Sequence, residues 1–457
     1  MTSLAEPALP KPPPTLQERM LHGPILSTLG RLAAPNAIAM TSATIVSVAE
    51  TTYVGLIGTP ALAGVTLVFP VVMLNQMMSG GAMGGGVSSA VARALGADDQ
   101  RASEALPFCA FAIAAAAGLG FAVLIWAFGP AIFRLLGGRG QALEAAVAYG
   151  RIVAFGLLFV WLSNMMASIM RGSGRMAPPA VMMLASGLLQ VIVGGTLGLG
   201  LFGAPRLGIE GVALGQLVAF VASAIAALGL LRLPGLKVRL TFDLAHLKWR
   251  HFADILRVGG IAVFSPIQSV STVLILTALV ARFGTEPLAG YGIGARLEFL
   301  LVPIAFSIGI ASLPMVGVAI GAREIARARK VAWTAGGVAA VTLGLIGAVV
   351  VAAPGLWAGL FTRSPAVYET ACQYLRIAGV GFPFMGVGLC LYFASQGSGK
   401  VFAPILAQTA RLAIVALGGW ALAGAGAPIT AVFALIAVSM VALGLGAALA
   451  VKLTPWG

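Results

Sequence analysis

The sequence predicts an all-α integral membrane fold with twelve transmembrane helices, arranged as two six-helix pseudo-symmetric lobes around a central cavity. Three observations predict it. The 457 residues are 59% hydrophobic and only 9% charged, where soluble domains carry roughly a quarter charged residues. Apolar runs long enough to cross a bilayer, about 20 residues each, recur about a dozen times. The two halves of the chain repeat one pattern in a single register, at an offset of 225 or 226 residues.

In chain order, the first thirty residues lack the charged, apolar and small-residue succession of a signal peptide. PALPKPPP predicts an extended tail and LQERMLHG a short segment lying along the membrane surface, so residues 1–24 are assigned to a tail. Apolar runs between turn signals then predict helices at 27–57, 61–94, 104–127, 145–169, 178–200 and 208–231, the amino-terminal lobe of 25–231. A polar connection, 232–257, leads to a second lobe, 258–457, with helices at 258–282, 287–320, 331–352, 366–394, 402–423 and 428–450.

The charges test this layout, because loops rich in Lys and Arg stay cytoplasmic. With the amino terminus inside, cytoplasmic segments hold 18 of the 28 basic residues and outer loops five. That predicts a multi-pass protein of the cytoplasmic (inner) membrane with both termini inside. The net charge of +14 is then an orientation signal and a contact with anionic membrane lipid, and no nucleic acid partner is expected.

Enzyme chemistry finds no support. Cys109, Cys372 and Cys390 lie in apolar runs without metal or redox spacing, and His22, His246 and His251 fall outside the predicted helices. No H-E-x-x-H, Ser-His-Asp or CxxC pattern is present. The glycine run SGGAMGGGVSS from Ser79 has no following Lys and no preceding strand, so it predicts close helix packing or a bending point rather than a phosphate loop.

The repeat is specific. GTPALAG from Gly58 recurs as GTEPLAG from Gly284, VARALGADD from Val91 as VGVAIGARE from Val316, YGRI from Tyr149 as YLRI from Tyr374, and RGSGRMAPP from Arg171 as QGSGKVFAP from Gln396. Six helices per repeat is an even number, so both halves insert with the same orientation and are related by an axis along the membrane normal. Two bundles flanking a midplane cavity are the usual form of an alternating-access transporter. A passive channel is the rival from another class, and the absence of a filter-like loop argues against it.

These motifs, in this order and duplicated, resemble the multidrug and toxic compound extrusion (MATE) family over nearly the whole chain, from about Leu26 to Lys452. The resemblance implies two six-helix lobes and a monomer that exports small organic, mostly cationic, compounds against an inward flow of protons or sodium ions. No cofactor or bound metal is implied. A lipid-linked oligosaccharide flippase of the same superfamily is the alternative. Its anionic pyrophosphate cargo would favour several cationic side chains along the cavity, whereas only Arg411 reads as deep.

Of the 14 acids, 12 fall in the tail, loops or helix ends. Glu50 and Glu298 remain inside helices, where a carboxylate costs on the order of 2.5–3.5 kcal/mol at the centre, so each must face a cavity or a partner. On the first helix, Asn36, Ala39, Ala43 and Glu50 share a stripe with Ser47 at its edge. That stripe is expected to face the lobe interior, where a desolvated carboxylate is suited to taking up and releasing a proton. By resemblance, Glu50 in VAETTYVG matches the family's first-helix acid, usually Asp. Its fifth-helix Asn and Asp correspond to Gln190 and Gly194, leaving few hard oxygens for sodium, so the proton is favoured and sodium is the alternative.

Glu298 shares a helix face with Tyr291 and is expected either to pair with the mid-membrane Arg411 or to act in coupling. Gln268, Ser269 and Thr272, with Ser265, make a polar stripe on the seventh helix, read either as packing glue or as a cargo-contacting wall. Asn75, Gln76, Asn164 and Gln190 are further cavity candidates. Met77, Met78, Met165 and Met166 read as core first and adaptable cargo contacts second.

Overall fold

The structure, a computed structural model, describes residues 15–232, 238 and 248–456, which are helix and turn with no strand among them. Residues 1–14 of the expected tail, and 233–237 and 239–247 of the expected connection, lie outside the described residues. Among the described residues, twelve helices are long and apolar enough to cross a membrane: α1 Ile25–Ile57, α2 Thr59–Gly96, α3 Gln100–Leu135, α4 Gly140–Gly172, α5 Ala177–Leu199, α6 Gly208–Leu230, α7 Trp249–Ala281, α8 Thr285–Gly321, α9 Ile325–Ala352, α10 Pro365–Ser398, α11 Phe402–Gly424 and α12 Ile429–Leu453. At 1.5 Å per residue, the 38-residue α2 and 37-residue α8 run to about 55 Å, well beyond a hydrocarbon core of about 30 Å.

The repeat is visible in the packing. Within the first lobe α3 packs on α4, α4 on α6, α5 on α6, α1 on α5 and α2 on α4; the same five pairings recur as α9 on α10, α10 on α12, α11 on α12, α7 on α11 and α8 on α10. The central helices α4 and α10 therefore carry, together with α8, the most buried faces, including Trp161, Met165, Met166, Tyr374 and Phe393. Met165 and Met166 are core residues rather than cleft contacts.

Three spans are interrupted where the chain lacks side-chain bulk or a backbone donor. A π-helical turn occupies Met77–Met83 in α2, at the start of the glycine run. A break at Val263 divides α7 just ahead of Pro266, whose missing N–H weakens the ladder. A 3₁₀ turn, Gly379–Gly381, divides α10 before Pro383.

The seventh helix starts at Trp249 rather than at the expected 258. Its first turns, WRHFADIL, are charged on one side and bury His251, Ile255, Val258, Gly259 and Ala262 on the other. A search for apolar runs misses such a segment, whereas a 3.6-residue period finds it.

The lobes meet at one end of the molecule. Close approach is concentrated in Gly84–Gly96 of α2 and in the last turns of α8, and a Cβ on Gly86 would stand 2.7 Å from Gly259 N of α7. The opposite part of α2, Thr59–Gln76, packs mainly within its own lobe, so its contact with the second lobe thins away from that end.

Polar groups latch the closed end. Ser89 donates to the Gln396 carbonyl, Arg93 donates to Ser89, and Arg93 Nη2 pairs with Asp254 at 2.6 Å. A short surface helix, Leu16–His22, straps the same end. It opens with a capping box between Thr15 and Glu18 and buries Met20. Gln17 Nε2 donates to the Leu95 carbonyl of the first lobe at 2.7 Å, while Arg327 of the second lobe donates to the carbonyls of Met20 and Gly23.

Candidate ion-coupling and cargo sites

In the first lobe, four helices converge on one carboxylate. Glu50 of α1 is half-buried; Gln190 Nε2 of α5 donates to its Oε2 at 2.9 Å. Tyr149 of α4, which is buried, places its hydroxyl 3.3 Å from Glu50 Oε1 and 2.6 Å from Gln216 Oε1 of α6. Tyr53, one turn beyond Glu50, is buried in the same cluster with a hydroxyl that has no partner among the described residues.

Proton accounting decides what this cluster can do. A tyrosine hydroxyl carries one proton, and both Gln216 Oε1 and an ionised Glu50 accept only. When Glu50 is protonated it donates to Tyr149, and Tyr149 donates to Gln216. When Glu50 is ionised it draws the Tyr149 proton, and Gln216 loses its donor. Such a cluster can pass a change in the charge of Glu50 on to α4 and α6.

The second lobe carries a related arrangement. Tyr374 of α10 donates to Glu298 of α8 and packs edge-on against Tyr291, with ring centroids 5.2 Å apart. Tyr149 and Tyr374 are the repeat-equivalent residues of YGRI and YLRI. Their carboxylates are not equivalent, for Glu50 rides on the first helix of its lobe and Glu298 on the second.

The expected contact pairing of Glu298 with Arg411 is not formed. Among the described residues the one ion pair within 4.0 Å is Arg93–Asp254. Arg411 influences Glu298 and Tyr291 only through space, and its Nε is buried without a partner. Tyr374, the closer group, occupies the place Arg411 was expected to fill.

The remaining sequence-predicted residues separate into three groups. Asn36 is buried with Ala39, as the stripe on α1 requires, whereas Ser47 is exposed and lies off the Glu50 network. Asn75 is not in the cleft: it is buried and accepts from Trp161 Nε1 at 2.8 Å. Gln76 is exposed and accepts from Asn164 Nδ2 at 2.8 Å, and the same amide reaches Ser79 Oγ at 2.8 Å, a polar rim on the glycine run.

The α7 stripe turns to α11. Ser265 donates to Gln408 Oε1 at 2.7 Å, Gln268 to Thr409 Oγ1 at 2.6 Å, and Thr272 to its own helix, while Ser269 is half-buried. Those bonds favour packing glue over a cargo wall.

Sequence reasoning missed Tyr149, Gln216 and Tyr374 as partners of the acids. The recurrence of Tyr in both repeats was the available signal.

Comparison with known proteins is decisive for the family. The MatE family model matches residues 35–196 and again 262–420, the second stretch starting 227 residues after the first. The chain belongs to the MATE family of transporters. This MATE protein is 25% identical over 408 residues to the FAD transporter of Shewanella oneidensis, spanning 87% of this chain and 88% of that one. It is also 25% identical to the multidrug export protein MepA of Staphylococcus aureus, over 84% of this chain and 85% of that one.

Solved structures share its fold. They include a MOP superfamily transporter from Pyrococcus furiosus, 21% identical with a TM-score of 0.85 over 95% of this chain and 96% of that one. Another is a MATE protein in a bent conformation, 21% identical with a TM-score of 0.87 over 96% and 97%.

Proposed function

We propose that this MATE protein is a proton-coupled antiporter that exports amphipathic, mostly cationic organic compounds by alternating access. It acts as a monomer in the cytoplasmic membrane with both termini inside. The observation that carries the reading is the Tyr149 hydroxyl, placed within hydrogen-bond distance of both Glu50 and Gln216. Proton uptake by Glu50 rearranges bonds among α1, α4 and α6, and so biases the lobe that must move against its partner.

Proton is favoured over sodium by the donors around the carboxylate. Gln190 presents an N–H to Oε2, which suits an anion and repels a cation, and the groups that act on Glu50 are Tyr149 and Gln190, with no carboxylate among them. Sodium takes several hard oxygens, and an amide N–H uses up one of the few available.

The test is dye efflux from proteoliposomes under separately imposed gradients. Wild-type protein should move a cationic dye when a pH gradient is applied and not when only a sodium gradient is applied, and Glu50→Gln should abolish the pH-driven efflux. Efflux driven by sodium alone, or a Glu50→Gln rate equal to wild type, would overturn the coupling assignment.

A further inference from the structure

We propose that the floor of the inter-lobe cleft is an anion site built on Arg171. This arginine ends α4 in the RGSGR turn, and its side chain runs back along the glycine run of α2 to line a gap between the lobes. Gly80, Gly81 and Gly85 form one wall, and Leu313 and Phe393 of the second lobe form the other. The gap measures about 10 Å³, the space of one water-sized sphere.

Three facts point to an anion. Arg171 Nε is buried without a partner among the described residues, and the residue's hydrogen bond to Ser168 Oγ is long at 3.5 Å. No carboxylate lies within 4.0 Å of it, since the one such pair among the described residues is Arg93–Asp254. A guanidinium is permanently charged, and a charge withdrawn from water without a counter-charge is costly, so such groups are paired or hydrogen-bonded.

Beside these glycines the space a Cβ would take is met by Asn164 at Gly80, Phe306 at Gly81 and the Gln396 amide at Gly85, so the occupant sits among these side chains rather than against bare helix backbone. The size suits a halide or one oxygen of a carboxylate or phosphate. An occupant there cancels the arginine's charge beneath a cleft that, on the reading above, admits cations. The site itself does not depend on that reading. Its source is either a free ion or the anionic group of a cargo molecule.

The test is a binding measurement on purified protein in detergent, independent of transport. Thermal unfolding is followed at constant ionic strength while bulky gluconate is replaced by chloride, and separately with added 1-naphthoate or phenyl phosphate. A saturable stabilisation by chloride, at least ten-fold weaker in Arg171→Gln and partly retained in Arg171→Lys, identifies a free-ion site. The same Arg171-dependent stabilisation by the aromatic anions alone identifies a cargo group. If wild-type protein is not stabilised saturably by any of these anions, or if Arg171→Gln binds them as well as wild type does, the proposal is wrong. The first of those outcomes needs no variant, so a poorly folding Arg171→Gln does not shield the proposal.

Discussion

Replacing Tyr149 by Phe deletes the hydroxyl that Gln216 and Glu50 share, and the consequences follow from the geometry. The ring stays in its buried slot, so packing changes little, but Gln216 Oε1, on a residue only 8% exposed, loses its 2.6 Å donor. Leaving a buried acceptor unsatisfied costs about 1–3 kcal/mol. Gln216→Leu alone should cost less, because Tyr149 can still donate to Glu50. The double variant should cost no more than Tyr149→Phe, since the orphaned acceptor is gone. The two sites are therefore expected to couple by about 1 kcal/mol or more in a double-mutant cycle, read from SDS-induced unfolding in mixed micelles.

The coupling should also depend on pH with a definite sign. At low pH Glu50 is protonated and the Tyr149 proton goes to Gln216, so the coupling is largest. At high pH the carboxylate draws that proton and the coupling shrinks. Additive effects at both pH values, or a coupling that grows with pH, would refute the shared-proton account.

Gly86→Val should open the closed end, because its Cβ meets the backbone at Gly259 N and Ile255 O, both 2.7 Å away, and backbone cannot swing aside. Overpacking of this kind costs about 1–3 kcal/mol, and spin labels at Ala97→Cys and Ala322→Cys should report a longer distance than in the parent; the native cysteines are buried. Arg327→Ala removes the donors to the Met20 and Gly23 carbonyls, so tryptic cleavage at Arg19 should accelerate about five-fold for a loss of about 1 kcal/mol; an unchanged rate would mean the strap is held by other contacts. Ser265→Ala should lower stability by about 0.5–1.5 kcal/mol with the dye KM unchanged, and a shifted KM at unchanged stability would return the α7 stripe to the cleft wall.

Much of the fold was legible because a bilayer imposes a length and a composition on every crossing, and a duplicated gene leaves its motifs in one register. Twelve spans and the two-fold repeat follow from that alone. The start of α7 was not legible in apolar runs, since its first turns are amphipathic and only half of each turn is buried. Subtracting the loop acids isolated Glu50 and Glu298, because a membrane makes any interior carboxylate expensive and therefore rare.

What those carboxylates touch was decided only by tertiary structure. Helix periodicity says which residues share a face of one helix, and the partners of Glu50 come from two other helices, at separations of 99 residues for Tyr149 and 140 for Gln190. Arg411 was the obvious partner for Glu298 by charge, yet Tyr374 reaches it first. In the sequence Arg171 stands out only as the first residue of a repeat motif, and the fold turned its side chain into the gap between the lobes. The sequence by itself determined how many times the chain crosses and which few charges must be accounted for, since both depend on transfer from water to lipid. Which of those charges meet depends on how helices rotate and pack against one another, and no single helix carries that information.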